Sequence, residues 1–99
     1  MFEILNPIVH NPIRLAILNL LIQSGEMEFT NLKKITNSSA GNLSIQINKL
    51  KDSGYVEVTK QFKNNYPQTI CKITEKGTIE FNNYVKVMHA YLNPVEKFN

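Results

Sequence analysis

The chain has 99 residues, is 42% hydrophobic and 19% charged, and carries a formal net charge of +3. That length suits about one small domain near the lower edge of what buries a self-sufficient core, so help from a second copy is expected. No apolar run is long enough to cross a bilayer, and a lone cysteine excludes an intramolecular disulfide framework. The start, Met1-Phe2-Glu3, lacks the basic stretch of a signal peptide. With the single cysteine it sets the expectation of a cytoplasmic protein with no membrane partner. The charge is unevenly placed. Six lysines lie between Asn31 and Lys63 against Asp52 and Glu57, whereas the remainder holds five cations and six carboxylates. The positive excess therefore lies in one segment, as expected of a side that meets a polyanion or of a merely solvated lysine-rich face.

In chain order, Phe2, Ile4, Leu5, Ile8 and Val9 form an apolar leader, a short helix at most, which Pro7 opens or interrupts. Asn11-Pro12 is a helix start: Asn caps free amides and Pro occupies the first helical position. Ile13 to Ile22 is apolar around most of its circumference and predicts a buried central helix ended by Gly25. Met27-Glu28-Phe29 reads as a short extended piece, and Thr30 as the cap of a short helix that turns Leu32 and Ile35 inward. Thr36 to Ser39 is turn-like. Ser38 or Ser39 then caps a helix from Ala40 to Ser53, in which Leu43, Ile47 and Leu50 form one apolar stripe. Gly41, Asn42, Ile45, Asn48, Lys49 and Asp52 point the other way, with Ser44 and Gln46 on the flanks. Gly54 suits the left-handed position after a helix. Tyr55 to Phe62 and Gln68 to Thr74 read as two strands joined by the turn-rich Lys63-Asn64-Asn65-Tyr66-Pro67, with Cys71 and Ile73 sharing a face. Thr74 caps a last helix that runs to Leu92, before Asn93-Pro94.

Two short helices joined by a tight turn and followed by a hairpin give the order of a winged helix-turn-helix. The predicted class is α+β, mainly helical: a single domain over residues 1–99, with a recognition helix 40–53, a two-stranded wing 55–74 and a C-terminal helix 75–92 that mediates dimerisation. The second of the paired helices fits a DNA major groove. Its start, Ser38, Ser39 and Gly41, suits a backbone phosphate and a close approach. Asn42, Ser44, Gln46 and Asn48 suit base edges, the amides having the donor and acceptor pair that matches adenine, and Lys49 lies beside them. Ile45 is either a contact for a thymine methyl or a plain exposed aliphatic. On the wing, Lys60, Lys63, Asn64, Asn65 and Gln68 are the candidate contacts, the lysines to phosphates.

"NPIRLAILNLL", "GNLSIQINKLKDSGYVEV" and "PQTICKITEKG" resemble the signature stretches of small MarR/ArsR-like winged-helix transcriptional regulators, over about Ile8 to Tyr84. The resemblance implies a cytoplasmic, dimeric transcription factor with Ala40 to Ser53 as recognition helix and Lys60 to Thr69 as wing. Where that family tends to place basic residues, this chain has Ile45 and Gln46 in the helix and Tyr66 and Gln68 beside Pro67.

Other chemistry finds little support. No Cys/His, Ser/His/Asp or paired-carboxylate arrangement suggests an enzyme. Cys71 reads as a small core residue, His10 and His89 lack closely spaced ligand partners, and Arg14 reads as structural, over the end of the first helix. No metal or cofactor is expected, and nothing identifies a small-molecule effector. Gly77, in the first turn of the last helix, is expected to pack closely on the sheet. The last helix carries more apolar groups than one stripe needs. Tyr84, Val85, Met88, Tyr91 and Leu92, with Phe2 and Leu5 of the leader, are the expected homodimer interface. The expected partners are therefore double-stranded DNA and a second copy. The competing reading is a winged-helix protein-interaction module that does not bind DNA.

Overall fold

A computed structural model describes residues 2–93. The elements run α1 (Pro12–Ser24), β1 (Glu26–Glu28), α2 (Phe29–Thr36), α3 (Ala40–Asp52), β2 (Val56–Lys63), β3 (Tyr66–Ile73) and α4 (Glu75–Leu92). The three strands form an antiparallel sheet in the order β1-β3-β2, so the short extended piece after α1 adds a third strand at the root of the two-stranded wing. The core gathers Ile17, Leu18 and Leu21 of α1, Leu32 of α2, Leu43, Ile47 and Leu50 of α3, and Tyr55, Val56 and Cys71 of the sheet. Phe81 and Tyr84 of α4 close it. Burial pushes the Cys71 thiol up to about 11, which keeps it a neutral packing group at physiological pH. No described helix is long and apolar enough to cross a membrane.

Local chemistry explains most element ends. Asn11 Oδ1 accepts from the amides of Ile13 and Arg14, both at 3.0 Å, and Pro12 opens α1. Thr74 caps α4 through the Gly77 amide at 2.9 Å. α2 and α3 end alike. Asn37 and Gly54 are left-handed, the amides of Ser38 and Tyr55 reach back to the carbonyls of Lys33 and Leu50, and those of Asn37 and Gly54 to Lys34 and Lys51. This double closure satisfies the last carbonyls of each helix and reverses the chain sharply.

Several expectations are corrected. The leader forms no helix: the Asn6 side chain accepts from the Ile8 amide at 2.8 Å and its carbonyl from His10, which makes a turn through Pro7. Asn6 also donates to Tyr55 Oη and Glu80 Oε1, tying this turn to the wing root and α4. Thr30 does not cap α2, which starts two residues earlier, at Phe29, behind an extended Glu28 that makes no side-chain cap bond. Ile35 is 56% exposed because the buried face of α2 is centred on Phe29, Leu32 and Thr36, on the other side of Leu32. The wing turn is shorter than its composition suggests. Only Asn64 and Asn65 separate the strands, at φ of 53° and 66°, the two-residue hairpin turn that matches strand twist. Pro67 is tolerated inside β3 because it pairs with Phe62 next to the closing pair Lys63 and Tyr66, so its nitrogen faces away from β2. On that side β1 reaches only Ile70 to Lys72.

Gly77 packs on the sheet root as expected. A Cβ there would sit 2.2 Å from the Tyr55 carbonyl oxygen and 3.1 Å from Ile73 Cγ1, whereas one at Gly41 would meet nothing within 4 Å. Gly77→Ala is therefore expected to lose about 2 kcal/mol or more in urea unfolding, and Gly41→Ala to gain up to about 1 kcal/mol. A Gly77→Ala protein as stable as the parent would contradict the packing of α4 on the wing root.

Candidate nucleic-acid interface

The three residues between α2 and α3 form the turn of a helix-turn-helix. Thr36 Oγ1 donates to the Leu32 carbonyl at 2.6 Å and lies 2.9 Å from Ser38 Oγ. Ser39, not Ser38, caps α3, accepting from the Asn42 amide at 3.1 Å. Ser38 thus stiffens the turn, and Ser39 and the first α3 amides stand at its open end.

Docking of Leu43, Ile47 and Leu50 in the core fixes which groups α3 exposes. At 100° per residue, Gly41, Ile45, Asn48 and Asp52 form the outer ridge. Asn42, Gln46 and Lys49 lie on one flank, Ser44 and Lys51 on the other. Ile45 is 54% exposed. Ser44 and Asn48 line a groove against the wing, together with Phe29, Ile47, Val58, Lys60 and Thr69. Strand alternation explains the wing side of this groove. Val58, Lys60 and Phe62 share a face with their partners Cys71, Thr69 and Pro67, so Lys60 and Thr69 extend the core-facing row into the open. Thr69 was not foreseen, although its register opposite Lys60 follows from the hairpin turn.

The structure does not bring every proposed wing contact to that groove. Gln68 belongs to the reverse face, where it accepts from Gln61 at 3.3 Å and donates to Glu28 at 3.4 Å. Gln68 therefore lies outside the groove beside α3, and its side chain is engaged by Gln61 and Glu28. Lys63 shares the reverse face at the hairpin end, and Asn64 and Asn65 occupy the tip, where their positive φ values shape the turn. Phe62 and Tyr66, 79% and 74% exposed, flank the tip.

Arg14 is buried, and its donors end on three oxygens, none of them a carboxylate. Nε donates to the Ile8 carbonyl at 2.6 Å, one terminal nitrogen to the Pro7 carbonyl at 3.3 Å and the other to Gln46 Oε1. Gln46 Nε2 in turn donates to Asn42 Oδ1 at 3.1 Å. Arg14 is structural, as expected, but it clamps the leader to α3, and Gln46 is partly committed inside the fold. The i, i+4 spacing of Asn42 and Gln46 was visible in the sequence; Arg14, far away along the chain, was not.

Among the expected interface residues, Leu5 packs against the core and Tyr84 is 3% exposed, its hydroxyl 2.8 Å from His10 Nδ1. Tyr84 is thus covered by its own chain and corrected as an interface residue. Phe2 stacks on Tyr91 with ring centroids 4.8 Å apart, and Tyr91 Oη donates to the Glu3 carbonyl at 2.6 Å. Phe2, Val85, Tyr91 and Leu92 remain exposed, and Met88 is half-buried.

Residues 13–92 match a family model described as a winged helix DNA-binding domain. The chain belongs to the winged helix DNA-binding domain family. An uncharacterised protein of Methanocaldococcus jannaschii is 38% identical over 78 residues, which are 79% of this chain and 85% of that one. A transcriptional regulator homologue from Pyrococcus horikoshii superposes with a TM-score of 0.81 at 28% identity, covering 86% of this chain and 84% of that one. The transcriptional repressor BigR of Xylella fastidiosa (TM-score 0.68, 22% identity, 88% and 82% covered) has the same fold. So does AbsC, a MarR family transcriptional regulator of Streptomyces coelicolor (0.63, 21%, 77% and 55%). The winged-helix fold expected from the three sequence stretches is met. In this winged helix DNA-binding domain α2, the turn and α3 form the helix-turn-helix, and the β2–β3 hairpin forms the wing.

Arg14→Met leaves two leader carbonyls and Gln46 without their donor, and is expected to cost about 2–4 kcal/mol of unfolding free energy. Arg14→Lys supplies a single ammonium in place of a planar fork and should still lose about 1 kcal/mol or more. Thermal or urea melts check both. A Lys variant of full stability would show that the fork geometry is unimportant.

Proposed function

We propose that this chain regulates transcription by sequence-specific binding of double-stranded DNA as a cytoplasmic homodimer, each copy acting as one domain. In this reading α3 enters the major groove, Lys49 and the amides flank the bases, and Lys60 and Lys63 hold the adjacent backbone. The observation that carries it is the shared groove of Ser44 and Asn48 with Lys60 and Thr69, which places polar α3 side chains and a wing cation on one surface. That surface lies in the segment holding the positive excess of the chain. Membership of a DNA-binding family supports the same reading. The exposed Ile45 and Phe62 favour a second reading, a module that docks on another protein through the same side.

The two are separated by salt. Lys60→Ala with Lys63→Ala should weaken specific and random duplexes nearly equally and lower the log-log salt slope by about 1–2. No duplex binding by the unaltered protein at low salt would leave the protein-docking reading.

The homodimer rests on α4. Val85, Met88 and Leu92 prolong the stripe that buries Phe81; Met88 still packs against the core, but Val85 and Leu92 are 48% and 74% exposed. A second copy covering this stripe and Phe2 would set two α3 helices about 34 Å apart, one DNA turn. Met88→Glu with Leu92→Glu should yield a folded species of half the mass in sedimentation, with much weaker binding to a two-half-site duplex. A parent protein that sediments as a monomer at micromolar concentration would contradict the dimer.

A further inference from the structure

A guanidinium donates hydrogen bonds and accepts none. Because Arg14 points at Gln46, the Gln46 amide must present Oε1 to it, and its Nε2 is left to face along α3. There it meets Asn42, one helical turn earlier, which must answer with Oδ1; the bond is 3.1 Å. The amide of Asn42 is thereby turned so that its Nδ2 amino group, and not its carbonyl, faces away from the relay. Burial grades along it: Arg14 is 8% exposed, Gln46 half-buried and Asn42 exposed. A charge fixed in the core thus sets the polarity of a group on the surface of α3.

We propose that the Arg14–Gln46–Asn42 relay makes Asn42 a donor-only reader of the major groove and so determines base specificity at the position beneath it. This rests on the DNA-binding reading above. A freely rotating asparagine offers donor and acceptor side by side and matches adenine N6 and N7, the pairing expected from residue type alone. With Oδ1 turned to Gln46, the amino group favours edges that only accept. Guanine, with O6 and N7, comes first, and thymine O4 next. Cytosine N4 presents a donor against a donor, and adenine offers only its N7 acceptor beside the N6 donor. Gln46, which on residue type alone reads a base itself, is a positioning residue: it acts through Asn42.

The relay can be reversed without dismantling it. In Gln46→Glu the carboxylate still accepts from Arg14 but cannot donate, so Asn42 must turn its amino group inward and its carbonyl out. In Asn42→Asp one oxygen still accepts from Gln46 while the other faces outward as an acceptor. This site is the third residue of α3, where a carboxylate suits the helix start, so the variant keeps the test open if Gln46→Glu fails to fold. Each adds one negative charge and will bind more weakly overall, so the readout is base preference and not affinity. Selection from a random duplex pool should give the unaltered protein a preference for guanine or thymine over adenine at one position per half-site, by about fivefold or more. Both variants should shift that position to adenine or cytosine. If the unaltered protein prefers adenine there, or the folded variants keep its preference, the relay is overturned while DNA binding stands. If the unaltered protein binds no duplex, the underlying reading falls with it.

Discussion

Burying a cation requires acceptors, and Arg14 finds its acceptors on two pieces of chain far apart in sequence, the leader and α3, which also share the apolar core through Val9, Leu43 and Ile47. The Pro7 and Ile8 carbonyls belong to a leader turn with no regular structure of its own, and Gln46 belongs to the helix that faces the solvent groove. Desolvating the guanidinium is tolerable because it is weakly hydrated and each of its nitrogens finds an oxygen acceptor. The result is a joint between leader, α1 and α3. It fixes the rotation of α3 about its axis more tightly than three aliphatic side chains alone would, since hydrogen bonds are directional and apolar packing is not.

The rest of the presentation follows from helix ends. Asn37 and Gly54, both left-handed, close α2 and α3 by the same pair of backbone bonds and turn the chain at once into the next element. The first reversal sets α3 across α2 with Ser39 at its open end; the second sends Tyr55 straight into the wing. Tyr55 then ties the two ends of the fold together, taking a hydrogen bond from Asn6 on its hydroxyl and from the Thr74 amide on its carbonyl. Gly77 lies over that same carbonyl, which is why α4 starts where it does. α3, the wing and α4 are consequently positioned by a few contacts around Tyr55 and Gly77 at the wing root.

Features written into neighbouring residues were legible in the sequence. Asn11-Pro12, Ser39, Gly54 and Thr74 each act within a few residues of themselves, and the Leu43, Ile47, Leu50 stripe docks as its spacing requires. What depended on tertiary geometry was not legible. Ile35 is as apolar as Leu32, and only the placement of α2 on Phe29 and Thr36 leaves it outside. Pro67 looks like part of a turn until the register shows its nitrogen on the unpaired side of β3. Gln68 and Lys60 are equally polar, and the two-residue turn decides that they lie on opposite faces. Tyr84 seemed surplus on α4 because its partner, His10, comes from the far end of the chain. The link from Arg14 to Gln46 is of the same kind, a pairing across sequence that no periodicity announces.

The central claim, that α3 and the wing form the DNA-facing surface while the outer stripe of α4 faces a second copy, is tested most directly by backbone amide NMR. The protein would be titrated with a short duplex at low salt. The account predicts shifted or broadened amides at Ser39, Asn42, Ser44, Ile45, Asn48 and Lys49 and at Lys60 to Lys63, with the amides of Val85, Met88 and Leu92 unmoved. Shifts confined to α4, or a spectrum unchanged at saturating duplex, would contradict it.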